Sequence, residues 1–154
     1  MHLNRTPHYF IFTFCLLLTI PQPVESIEDW FTQGVAHLNA GRMDKAIETF
    51  TRSIEMIPHD YEAYNNRGIA YSHKGDPSQA EIDFSKALKI NPDFYNAYLN
   101  RGIARQKQGL YSLALLDYGE AHRLKPSKQR PQVLLAWILV TSPDVRLQNG
   151  TLAI

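Results

Sequence analysis

Cysteine is almost missing: the 154 residues contain one, Cys15. A lone thiol closes no intramolecular disulfide, so an oxidising compartment is tolerated by this chain and not exploited. Cys15 follows bulky Phe14, and the apolar run continues past it, which excludes a lipid-attachment cysteine. Net charge is also missing. Lys and Arg number 16 against 15 Asp and Glu, a balance of +1 that gives no bulk attraction for nucleic acid. No glycine-rich phosphate loop, no His-Glu pair at zinc spacing and no nucleophile elbow occurs. His2 and His8 stand near the start, and His37, His59, His73 and His122 do not cluster. The sequence therefore predicts no enzyme, no cofactor and no metal.

No apolar run is long enough to cross a bilayer. The longest, Tyr9 to Ile20, has twelve residues, follows a short stretch bearing Arg5 and no acid, and ends at Pro21 and Pro23. This is the pattern of a secretory signal peptide over residues 1–26, cut after Ser26 so that the mature chain starts at Ile27. Export follows, to the periplasm of a bacterium or otherwise by secretion, with no membrane contact after cleavage. The alternative is an uncleaved signal that tethers the chain to a membrane.

What is present in excess is repetition. Asn-Arg-Gly-Ile-Ala is written twice, and its glycines stand 102 − 68 = 34 residues apart. Seven positions obey that interval three times: Trp30/Tyr64/Tyr98, Gly34/Gly68/Gly102, Gly41/Gly75/Gly109, Ala46/Ala80/Ala114, Phe50/Phe84/Tyr118, Ser53/Ala87/Ala121 and Pro58/Pro92/Pro126. Apolar residues recur every three or four positions on both sides of each middle glycine, which is a helical period. Gly41, Gly75 and Gly109 suit a left-handed helix end, Asp76-Pro77 a helix start, and the three prolines close the second helix of each unit. Each unit is a helical hairpin with aromatic knobs facing small residues. One hairpin cannot bury its apolar side alone, so the hairpins must stack. The acids Asp83 and Asp117 read as a repeated solvated face on the second helices.

This aromatic–Gly–Ala–Phe–Ala–Pro pattern resembles the tetratricopeptide repeat. The resemblance implies an all-α, right-handed α-solenoid of three units, 27–60, 61–94 and 95–128, with 129–154 a partial fourth repeat or capping helix. At a site where the family favours a bulky apolar or aromatic side chain, Tyr71 is matched by His37 and Arg105. Arg105 is expected to turn its charge outward and loosen the third unit.

The family's first helices line a concave face. Here that face would be built from Glu28, Phe31, Thr32 and Val35, from Glu62, Asn65, Asn66 and Ile69, and from Asn96, Leu99, Asn100 and Ile103. Phe31, Val35, Ile69, Leu99 and Ile103 would supply apolar pockets for a protein or peptide partner. Asn65, Asn66, Asn96 and Asn100 would hold its backbone, since an amide both donates and accepts. The positions that grip acidic chaperone tails in other members hold Phe31, Val35, Asn66, Asn96 and Asn100 here, and only Asn66 keeps the family's residue. The resemblance thus implies an exported interaction scaffold without that clamp; a non-catalytic subunit of a larger exported enzyme complex is the other reading.

Charge is uneven along the array: residues 101–154 hold 8 Lys or Arg against 3 acids. The run Arg123, Lys125, Lys128, Arg130 reads most simply as a solvated helix end, with an anionic docking patch as the other reading. Beyond it, "VLLAWILV" from Val133 to Val140 is apolar on all sides. Such an end predicts self-association or partner binding through 133–154.

Overall fold

The computed structural model describes residues 27–143; the expected leader, 1–26, and the tail, 144–154, lie outside them, as do the side chains of Ile27, Glu28 and Asp29. Among the described residues the chain forms α1 (Ile27–Asn39), α2 (Met43–Met56), α3 (Tyr61–Lys74), α4 (Pro77–Ile90), α5 (Tyr95–Lys107), α6 (Tyr111–Leu124) and α7 (Gln129–Thr141). Each helix packs on the next, and α3 also touches α1 and α5. The first helices of the hairpins therefore stand side by side on one face, with α2, α4 and α6 behind them. This is an all-α solenoid of stacked hairpins.

Local chemistry sets the boundaries. Gly75 closes α3 at φ 91°, a left-handed conformation that a side chain would strain, and Gly41 and Gly109 do the same at φ 70° and 76°. Asp76 accepts a hydrogen bond from the Gln79 amide at 3.0 Å, and Pro77 opens α4 without an amide to satisfy. α2, α4 and α6 each end two residues before Pro58, Pro92 and Pro126.

Inside each hairpin one ring lies on one glycine. A Cβ placed on Gly34 would come within 2.6 Å of Phe50, and one on Gly68 within 2.7 Å of Phe84; Tyr118 crowds Gly102 still more. Phe50, Phe84 and Tyr118 are completely or almost completely buried, and each such side chain contributes roughly 1.5–3 kcal/mol. Tyr118 brings a hydroxyl into a position where the other units have a ring alone, and it donates to Gln106 Oε1 at 2.7 Å. Burial, with the neighbouring Asp117 charge adding to it, raises the phenol pKa, so the hydroxyl stays protonated and available as donor. Trp30, Tyr64 and Tyr98 are only half-buried; Arg52 covers the Trp30 ring at 4.7 Å, and Arg67 and Arg101 stand over Tyr64 and Tyr98 at 5.6 Å.

The repeated acids are not a solvated face. Asp83 and Asp117 are 3 % and 2 % exposed. Arg67 donates from Nε and Nη2 to both oxygens of Asp83, at 2.8 and 2.7 Å, and from Nη1 to Thr51 Oγ1 at 3.1 Å. Arg101 repeats the pattern with Asp117 and Ser85. Each arginine thus ties its own hairpin to the hydroxyl of the preceding one. The hydrogen bond to Asp83 outweighs burial and raises the Arg67 pKa.

Arg105 also departs from expectation. It does not turn outward: its side chain is 15 % exposed, with Nε on Glu81 Oε1 at 2.8 Å and Nη1 on Asp117 Oδ2 at 2.9 Å. An inward guanidinium is possible here because two carboxylates meet it, which replaces the lost hydration. The third unit is not loosened, for Ala104, Ala114 and Tyr118 are fully buried.

α7 packs on α6. Ile138 is fully buried, and Leu134 and Leu135 join the core around Tyr118. Val133, Trp137 and Val140, at helical spacing on α7, remain exposed.

Candidate functional site

The face formed by α1, α3 and α5 places the sequence-predicted residues unequally. Phe31 and Val35 are half-buried against Ala46 and Phe50, with the Phe31 ring edge-on to Phe50 at 5.8 Å. Leu99 is 5 % exposed and belongs to the core with Tyr95 and Ile138, so it offers no free wall. Asn65 is likewise buried, and its Oδ1 accepts from Asn100 Nδ2 at 3.0 Å. The two amides brace α3 against α5. Asn66 is half-buried and Asn96 exposed.

Ile69, Asn100 and Ile103 do come together. They line a cavity of about 250 Å³ between α3 and α5, floored by Phe84. Four further lining residues were not anticipated: Ser72, His73, Lys107 and Arg130. A signal for two of them exists, since His73 and Lys107 each stand one helical turn after a repeated isoleucine and are themselves 34 apart. Lys107 Nζ reaches across to Ser72 Oγ at 3.1 Å and its carbonyl at 3.5 Å. Arg130 comes from the first turn of α7, which brings that helix to the cavity mouth.

The basic run that closes the third unit is divided. Arg123 pairs with Glu120 at 2.8 Å, Lys125 stands over the Tyr95 ring at 5.0 Å, and Arg130 alone of these three lines the cavity. Chemically, the cavity offers one amide, that of Asn100, with an aliphatic recess beside it and cations at the edge.

Family models of the tetratricopeptide repeat match residues 30–60 and 61–94. The TPR domain of Arabidopsis OM64 is 30 % identical over 70 % of this chain and 89 % of its own, with a TM-score of 0.68. The chain belongs to the tetratricopeptide repeat family. The first TPR of Spaghetti (RPAP3), solved bound to the HSP90 peptide SRMEEVD, is 26 % identical over 73 % of this chain and 89 % of its own, with a TM-score of 0.71. The Sgt2 TPR domain from Aspergillus fumigatus shares the fold at 22 % identity, covering 84 % of each chain with a TM-score of 0.71. No curated protein sequence matches the chain.

Proposed function

We propose that this tetratricopeptide repeat protein is an exported, non-enzymatic scaffold that holds a peptide or protein partner on the face of α1, α3 and α5. The observation that carries the reading is the cavity of about 250 Å³ in that face, where Ile69, Ile103 and Asn100 converge. An apolar recess with a few placed polar groups is what a side-chain pocket needs. The relative bound to SRMEEVD supports peptide capture by this fold. The same peptide is not the expected ligand, because Phe31 and Val35 put no cation or amide where that clamp needs them. Export rests on the leader pattern of Tyr9 to Ile20 followed by Pro21 and Pro23.

A photo-crosslinking amino acid placed in the native protein tests the face. Positions Asn66 and Ile103 should each yield an adduct with the same partner, and exposed Ile82 on α4 should yield none. Adducts from Ile82 alone would move the site to the opposite side. N-terminal sequencing of the exported protein should read Ile27-Glu28-Asp29-Trp30; recovery from the cytoplasm with Met1 intact would end the export reading.

A further inference from the structure

We propose that the cavity between α3, α5 and the start of α7 selects peptides in which a carboxylate side chain stands next to an aliphatic one. This deepens the peptide-face reading above and rests on it. The recess itself is hydrocarbon: Ile69, Ile103 and the Phe84 ring. At about 250 Å³ it exceeds the roughly 150 Å³ that accommodates a benzene molecule. A branched aliphatic side chain fits with room for a second, polar group at the lip.

That lip is cationic. Lys107 from α5 and Arg130 from α7 line the cavity beside His73 of α3, and no Asp or Glu does. The contrast with other arginines of the array is the decisive point. Arg67, Arg101 and Arg105 are each held by an internal carboxylate. Lys107 meets only the neutral hydroxyl and carbonyl of Ser72, and Arg130 is in no ion pair among the described residues. The lip therefore presents two uncompensated positive charges from separate helices, converging over an apolar floor. A carboxylate placed there gains charge-assisted hydrogen bonds while its aliphatic neighbour fills the recess. Lys107 and Arg130 lie outside the positions Phe31, Val35, Asn66, Asn96 and Asn100 that the resemblance assigns to a clamp. Anion recognition in this chain would thus sit further along the array, with α7 as one of its walls.

The test is an NMR titration of the full chain with two capped peptides, one with a Glu-Leu-Glu core between Gly and Ser residues, the other with Gln-Leu-Gln. The acidic peptide should shift the amides of Ile69, Asn100 and Ile103 and bind about tenfold more tightly than its amide counterpart. Its affinity should fall as salt is raised. Lys107→Gln and Arg130→Gln should each weaken it several-fold, and Lys128→Gln should leave it unchanged, with the unliganded spectra confirming that all three variants fold. Equal affinity of both peptides for the same amides would overturn the carboxylate preference and leave the peptide-face reading standing. Shifts confined to Arg123–Lys128, with α3 and α5 untouched by either peptide, would overturn both.

Discussion

Arg101 Nη2 lies 2.6 Å from Asp117 Oδ1, and that carboxylate is 2 % exposed. The same carboxylate also receives Arg105 at 2.9 Å, whereas among the described residues Asp83 receives only Arg67. Truncating a buried acid leaves its cation uncompensated, which costs about 3–5 kcal/mol. Asp117→Ala strands Arg101 and removes one of the two carboxylates on Arg105, whereas Asp83→Ala strands Arg67 alone. Urea denaturation at neutral pH should therefore find Asp117→Ala the less stable of the two. Equal losses would show that Glu81 alone satisfies Arg105.

The Glu81 carboxyl gives the array a pH response. Burial raises its pKa, but the hydrogen bonds from Arg105 and Gln108, together with the arginine charges, outweigh burial and leave the folded pKa lowered. A lowered folded pKa contributes stability that is present above the unfolded value and lost as pH falls through the folded one. Acid titration of stability should thus be steeper in the wild type than in Glu81→Gln, with the curves converging below the ordinary carboxylate range. Parallel curves would count against the Arg105–Glu81 contact.

Two glycines should fail for different reasons. Gly68→Ala drives a methyl to 2.7 Å from the Phe84 ring, an overpacking that costs about 1–3 kcal/mol. Gly75→Ala meets no atom within 4 Å but sits at φ 91°, a backbone strain of about 1–2 kcal/mol. Phe84→Leu should partly rescue the first and not the second. Thermal melts of the two double variants decide it.

Asn100 cannot be removed without a structural penalty, because its amide is the 3.0 Å partner of buried Asn65. Asn100→Ala should lose about 1–3 kcal/mol of stability, and Asn66→Ala, whose side chain meets Asn65 only at 3.5 Å, should lose much less. Chemical denaturation of the two single variants checks this before either is used in a binding assay.

Among the described residues, Val133, Trp137 and Val140 leave α7 with an uncovered apolar stripe, 64 %, 48 % and 77 % exposed. Sedimentation at micromolar concentration should find self-association that Trp137→Gln and Val140→Gln together abolish. A monomer with Trp137 shielded from quenchers would show that the stripe is covered within one chain.

Periodicity made the helices legible, since glycine, proline and aromatic positions each have a steric reason to recur. The charges were opaque for an equally physical reason. Asp83 and Asp117 lie on helices whose polar residues alternate with apolar ones, and a helical period alone does not tell an outward acid from one turned toward a neighbouring arginine. What could have told was the joint recurrence at one interval of Arg67/Arg101, Asp83/Asp117 and Thr51/Ser85. Arg105 was misplaced because burial of its charge depends on Glu81, 24 residues earlier on another hairpin. Of the candidate face, Ile69, Asn100 and Ile103 were legible as repeated or in-register groove positions. Arg130 was not, because only the packing of α7 brings it to the cavity.

The arginine connections also set how such a chain can lengthen. Each arginine finds its hydroxyl 16 residues behind it and its acid 16 residues ahead. A gene duplication that copied residues 61–94 whole would deliver Arg67, Asp83 and Ser85 together, and both new junctions would be joined as the old one is. A duplication that is not a whole multiple of the 34-residue interval would break the count. The link itself is missing at the outer positions, where Gln33 and Thr49 replace the arginine and acid of the first unit, and Gly119 and Leu135 replace the hydroxyl and arginine of the last junction. New units joined by this arginine link can enter only between existing linked ones, which would carry the cavity under α7 outward with the last of them.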